Sequence, residues 1–230
     1  YYADFMAQYL AVPRSRIHVI PHGLKLAGHG TRRPAGDNVF TIGFLARVCP
    51  DKGLHNLIAA AELLAADPTA PPFRVRAAGY LSEADRPYLA AIESRVKTWA
   101  EPARFRYEGE LTRAEKIAFL QSIDCFSLPT VYHESKGISA LEALANAVPL
   151  VVPEHGVFPE LIATTGGGVL HPPDDPQALA NALRGLMTNP EQASALGLAG
   201  QQFIHREHQA EAMAEQTAAL PQKLSAEGRV

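Results

Sequence analysis

The stretch Cys125-Phe126-Ser127-Leu128-Pro129-Thr130-Val131-Tyr132-His133-Glu134-Ser135-Lys136-Gly137-Ile138-Ser139-Ala140-Leu141-Glu142-Ala143-Leu144-Ala145-Asn146-Ala147-Val148-Pro149-Leu150-Val151-Val152 holds two apolar runs. A polar loop and a helix-forming segment at 138–147 separate them. The runs Cys125–Leu128 and Val148–Val152 are continuously apolar rather than alternating, as parallel strands covered on both faces are. Two such strands joined by a helix form a crossover unit, and such crossovers are right-handed.

The same unit recurs outward in both directions. Further apolar runs lie at Ile17–Ile20, Val39–Ala46, Phe73–Ala77, Phe105–Tyr107 and Gly168–Leu170. Helical periodicity fills 54–66, 83–99, 112–122, 157–164 and 175–188. The pattern predicts an α/β fold: a Rossmann-like, doubly wound parallel sheet with helices on both faces. Several boundaries have chemical causes. Asp51 is expected to cap the helix at 54, and Asp67-Pro68 to end it. Thr112 with Glu115 has capping-box spacing, and Asp175-Pro176 supplies a cap and an N1 proline. Beyond Pro190 two helices are expected, 191–200 and 202–220, with 225–230 frayed. The Pro-rich segments 66–72 and 172–176 read as turns, so residues 1–230 form one domain.

Composition removes several classes of function. The 230 residues carry 21 Lys+Arg against 24 Asp+Glu, a net charge of -3. Generic nucleic-acid binding needs a basic excess that is missing here. No apolar run has the 18 or more residues of a membrane span, and no basic-then-apolar signal segment opens the chain. Two cysteines, Cys49 and Cys125, fit a reducing cytoplasm better than a disulfide scaffold. Tyr1 inside a helix-like run predicts a piece of a longer protein.

Two segments concentrate candidate chemistry. In the first, Glu134 and Glu142 stand eight residues apart. On one helix they would diverge by roughly 80° and about 12 Å. Gly137 between them places Glu134 in the strand–helix loop and Glu142 in the first turns of the helix, so both can face one ligand. The unpaired N–H groups around Gly137, Ile138 and Ser139 suit a phosphate. Spacing alone leaves two plainer readings open: Glu142 capping its helix with Ser139, and Glu134 a solvated charge. In the second segment, Arg47 and Lys52 follow the strand Val39–Ala46 and precede a helix. That places a planar fork and a point charge where a diphosphate would lie. The plainer alternative pairs Arg47 with a surface carboxylate and leaves Lys52 in solvent.

Arg47-x4-Lys52-Gly53 after a strand, then Glu134-x7-Glu142 opening a later helix, resembles the carboxyl-terminal half of a retaining glycosyltransferase of family 4 (glycosyl transferases group 1), with the GT-B fold. Val19–Leu24, Leu141–Ala145, Val148–Val152, Gly156 with Pro159-Glu160, and Gly168–Asp175 also match, so the likeness covers about residues 12–190. The resemblance implies the donor-binding half of an enzyme that moves a sugar, of hexosyltransferase type, from a UDP- or GDP-like donor to a saccharide or lipid-linked acceptor. It implies that Glu134 meets the donor sugar at its anomeric side, as the catalytic residue. Arg47 and Lys52 hold the diphosphate, Glu142 accepts from the ribose hydroxyls, and backbone N–H groups of Gly137, Ile138 and Ser139 face phosphates and sugar. Leu111 lies near the base. No metal and no cofactor beyond the donor is expected.

It further implies an amino-terminal GT-B domain as partner, packed against the helix at 202–220 with Phe203, Met213 and Leu220 as its apolar stripe. The chain alone is then inactive, and the full enzyme can associate peripherally with a membrane. Ala46 and Ala147 stand where the family has Gly, Val157 replaces a second Gly, and Ser135-Lys136 replaces Gly-Phe; Lys136 is a candidate contact to phosphate or an acidic sugar. Alternative readings are a non-catalytic nucleotide-sugar binding module and a GT-B-fold sugar-nucleotide epimerase. His205-x-x-His208 has zinc-helix spacing but lacks further ligands. Tyr107, Tyr132 and Trp99 read equally as packing or stacking residues, and Gly166-Gly167-Gly168 as a turn.

Overall fold

The computed structural model describes residues 1–32, 36–101 and 104–226. Its sheet contains β1 (Phe40–Leu45), β2 (Phe73–Ala78), β3 (Phe105–Tyr107), β4 (Cys125–Ser127), β5 (Leu150–Pro153) and β6 (Gly168–His171). All neighbouring pairs are parallel, in the order β3-β2-β1-β4-β5-β6. The chain builds leftwards from β1 to β3, then crosses back to β4 and builds rightwards. The direction in which strands are added therefore reverses between β1 and β4, which stay parallel, and the loops leaving their carboxyl ends open a crevice there. The doubly wound expectation holds.

Helices α1 (Tyr2–Tyr9), α2 (Leu54–Ala66), α3 (Arg86–Val96), α4 (Arg113–Gln121), α5 (Ile138–Leu144), α6 (Phe158–Thr165), α7 (Pro176–Thr188), α8 (Pro190–Glu207) and α9 (Ala210–Ala226) surround the sheet. One layer holds α2 in contact with α3 and α7; on the other side α8 covers α5 and α6. Helices α2 to α8 each bury one face. In α2, Leu54, Leu57, Ile58, Ala61 and Leu64 point inward at helical spacing, onto Ile42, Phe44 and Val75 of the strands. Each large side chain removed from water here contributes roughly 1.5–3 kcal/mol. Thr112 and Glu115 form the capping box, and Asp175 accepts from Ala178 N at 2.9 Å.

Four expectations need correction. Ile17–Ile20 pairs with no described strand. The segment is instead anchored at Leu24, whose N–H donates to the His208 carbonyl at 2.7 Å and whose carbonyl accepts from Ala210 N at 3.1 Å. Asp51 does not cap α2: it lies in a single 3-10 turn, Pro50–Lys52, and Gly53 in the left-handed region precedes the helix. Helix 83–99 starts as a 3-10 turn at Glu83–Asp85, capped by Ser82, and ends at Val96. The break expected after Gly200 falls at His208 instead, because Gly200 packs its bare Cα on Gly167 and Leu144 without interrupting α8. Of the stretch expected to fray, Ser225 and Ala226 close α9 and residues 227–230 lie outside the described residues. No helix among the described residues is long and apolar enough to cross a membrane.

Candidate functional site

The loops after β1 and β4 meet at the reversal point, and one glycine lets them. Gly53 has φ +74°, and a Cβ there would stand 1.7 Å from the Pro129 carbonyl oxygen. Only a residue without a side chain permits that approach. Beside it, Val131 N donates to the Asp51 carbonyl at 2.9 Å. This seam carries Lys52 under the loop that holds Glu134.

Lys52, Tyr132 and Glu134 form a closed cluster. Lys52 Nζ donates to Glu134 Oε2 at 2.7 Å and to the Tyr132 hydroxyl, and the Tyr132 hydroxyl donates to the same Oε2 at 2.5 Å. The Lys52 ammonium also lies 4.6 Å from the Tyr132 ring centroid, within cation–π reach. Glu134 Oε1 accepts from the backbone N–H groups of Ser135 and Lys136 at 3.1 and 3.3 Å. Glu134 is only 8% exposed. Burial raises its pKa, but the bonds from Lys52 and Tyr132 outweigh that and bring it down to about 2. Lys52 mirrors this: burial lowers its pKa, and Glu134 and Tyr132 raise it by more. Glu134 is therefore no solvated surface charge, and Lys52 is not left in solvent.

Arg47, by contrast, is exposed, and no carboxylate among the described residues pairs with it. The two cations of the motif thus differ in state. One is neutralised within the protein, and the other is open to an anionic ligand.

Glu142 departs from the capping alternative. The residue before α5 is Gly137 (φ +63°), and no side chain caps the helix. Glu142 instead accepts from Lys116 Nζ of α4, with its side chain 12% exposed. Glu134 and Glu142 therefore have separate cation partners. The helix between them has only seven residues, so its dipole is modest and its first-turn N–H groups matter more than its macrodipole. Ile138 and Lys136 are exposed, Ser139 is half-buried, and Leu111 is half-buried against the core.

Other side chains have plain structural uses. Tyr107 donates to the Gly79 carbonyl and Trp99 to Glu62. His205 and His208 each bond a backbone carbonyl, of Ala145 and His22. Cys49 and Cys125 are both buried. Gly166 closes α6 in the left-handed region, as a turn should. Met213 packs on Gly23 and its sulfur accepts from Gly23 N at 3.2 Å, so it is not part of a free apolar stripe. A row of exposed aromatics lies instead on α1, where Tyr2, Phe5 and Tyr9 stack in series.

Sequence reasoning left Tyr132 unassigned and did not single out Lys116. Tyr132 stands two residues before Glu134 in an irregular loop, where no periodicity says which way a ring turns. Lys116 is one lysine on an amphipathic helix, and only the β3–β4 crossover brings it beside Glu142.

Residues 32–203 match the family described as Glycosyl transferases group 1. The chain is 29% identical to alpha-maltose-1-phosphate synthase of Mycolicibacterium smegmatis, over 97% of this chain and 61% of that protein. It thus spans about three-fifths of that relative's length. HepE of Anabaena, solved in complex with UDP, superimposes with a TM-score of 0.81 at 20% identity, covering 93% of this chain and 59% of that one. The C-terminal domain of a group 1 glycosyl transferase from Francisella tularensis superimposes with a TM-score of 0.70 at 20% identity. It covers 82% of this chain and all of that one.

Proposed function

Because this chain belongs to the glycosyl transferases group 1 family and has the fold of a GT-B carboxyl-terminal domain, we propose that it is the nucleotide-sugar half of a retaining transferase. The observation that carries the reading is the Lys52–Tyr132–Glu134 cluster at the β1/β4 reversal, with the unpaired Arg47 beside it. A buried ionised carboxylate next to a lysine is costly to build for stability alone. It suits a site where a diphosphate takes over the lysine and frees the carboxylate for the sugar.

In that reading Arg47 and Lys52 grip the diphosphate. The bond between the anomeric carbon and the phosphate oxygen breaks, the oxygen keeps the electron pair, and the two cations stabilise the charge that grows there. Glu134 stays ionised and faces the anomeric side, where positive charge develops on the ring. The acceptor hydroxyl bonds to that carbon on the same face and passes its proton to the departing phosphate oxygen. Gly137, Ile138 and Ser139 N–H groups meet phosphate and sugar, Lys136 reaches the donor from the loop edge, Leu111 lies by the base and Glu142 takes the ribose. The partner domain that binds the acceptor lies outside this sequence, so the chain alone transfers no sugar. UDP in the HepE complex supports a uridine donor as the first probe.

Calorimetric titration with UDP, GDP and ADP tests the reading. One nucleotide should bind, and Arg47→Ala and Lys52→Ala should each weaken it by about tenfold or more, the loss of a charge-assisted hydrogen bond. Unchanged affinity in both variants would sink the diphosphate clamp.

A further inference from the structure

The Lys116–Glu142 pair joins α4 to α5 through two residues 26 positions apart in sequence. Glu142 Oε1 accepts from Lys116 Nζ, while among the described residues no protein group bonds Oε2. Lys116 in turn has Glu142 as its carboxylate partner among the described residues. The end of α5 behind Glu142 is held firmly. Asn146, fully buried, donates to the Glu142 carbonyl at 2.8 Å and to His29 Nδ1 at 2.8 Å, and its oxygen accepts from Gly30 N and Gln121 Nε2. A rigid backbone therefore presents a carboxylate with one oxygen occupied and one left to accept.

We infer that Lys116 is a positioning residue for Glu142, holding that carboxylate in place so that its second oxygen grips the vicinal hydroxyls of the donor's ribose. The inference rests on the donor-binding reading above. Its physical cause is geometric: the Glu142 side chain is 12% exposed, and the bond from Lys116 to one of its oxygens fixes the orientation of the other. Without Lys116 the carboxylate loses the partner that fixes its orientation and swings toward solvent. That change loosens the hold on a diol and leaves the diphosphate contacts at Arg47 and Lys52 untouched, since Lys116 shares no partner with them.

The test is calorimetric titration of the 230-residue chain and its Lys116→Met and Lys116→Arg variants with UDP and with 2′,3′-dideoxy-UDP. Lys116→Met should bind UDP about tenfold more weakly, yet bind the dideoxy ligand within about twofold of the parent, and Lys116→Arg should recover most of the UDP affinity. Equal losses on both ligands, or no loss on UDP, would overturn the inference and leave a merely structural ion pair. Should Lys116→Met melt below the titration temperature, Glu142→Gln carries the same comparison and must show the same diol-dependent loss. A parent chain that binds UDP and the dideoxy form equally refutes the inference alone. One that binds no nucleoside diphosphate refutes the donor-binding reading with it.

Discussion

Gly156 is pressed against the backbone of Glu134. A Cβ on Gly156 would stand 2.6 Å from both the Glu134 nitrogen and its carbonyl oxygen, and φ at Gly156 is +62°. The next residue, Val157, donates its N–H to that carbonyl at 2.8 Å. The loop after β5 thus sets the height of the loop after β4, and with it the place of the Glu134 carboxylate.

Gly156→Ala should therefore cost about 2 kcal/mol or more, since backbone atoms on both sides cannot yield and the left-handed conformation disfavours a side chain. Urea denaturation measures the loss. A change under about 0.5 kcal/mol would mean that the two loops slide apart freely.

Lys52→Met removes the cation from a carboxylate whose side chain is 11% exposed. It should destabilise the chain by about 2 kcal/mol, less than a fully buried pair would lose, and Glu134→Gln by less again. Glu134 has a pKa of about 2 in the folded chain against 4.5 when free, so the folded state holds its proton more weakly. Its contribution is complete above pH 4.5 and disappears as pH falls through 2. Acid titration of stability in the parent should show this loss, and in Lys52→Met it should be much reduced.

His29 shifts stability at milder pH. Burial above all, then the charges of Arg113 and Lys116, push its pKa from 6.5 to about 4. Between those values the unfolded chain binds more protons, so stability should fall as pH drops from 6.5 to 4. His55, His155 and His171 are lowered too, each chiefly by burial, and act in the same direction. Denaturation midpoints at pH 7, 5.5 and 4.5 follow the slope, which His29→Gln should flatten.

Ala147 stands at φ +58°, a conformation that a Cβ disfavours. Ala147→Gly should stabilise the chain by about 0.5–1 kcal/mol, raising Tm by roughly 1–4 °C. Lower stability would show that the buried methyl contributes more than the strain removes.

Much of this was legible in the chain itself. Largely apolar runs at 39–46, 125–128 and 148–152 marked parallel strands, because both faces of such strands lose water and the pattern records it; Phe73–Ala77 instead alternates with Arg74 and Arg76, and its burial alternates likewise. Ile17–Ile20 carried the same local signal without a partner strand, which no local pattern reports. Gly53 announced a special backbone position, but not that Pro129 would lie against it. Arg47, Lys52, Glu134 and Glu142 were legible as a set through family resemblance, not through spacing, which left a capping role for Glu142 equally open.

Residue order thus determined the fold class, the strand–helix alternation and the identity of the charged residues near the sheet's carboxyl edge, since these rest on local periodicity and on chemistry written at single positions. Tertiary structure alone decided which charges meet. Lys52 neutralises Glu134 across 82 residues, Lys116 holds Glu142 across 26, and Arg47 stays unpaired among the described residues. Those pairings depend on strand order and loop height. Hydrophobic burial sets strand order and loop height cooperatively across the whole sheet, and neither partner's surrounding sequence encodes the other's distance.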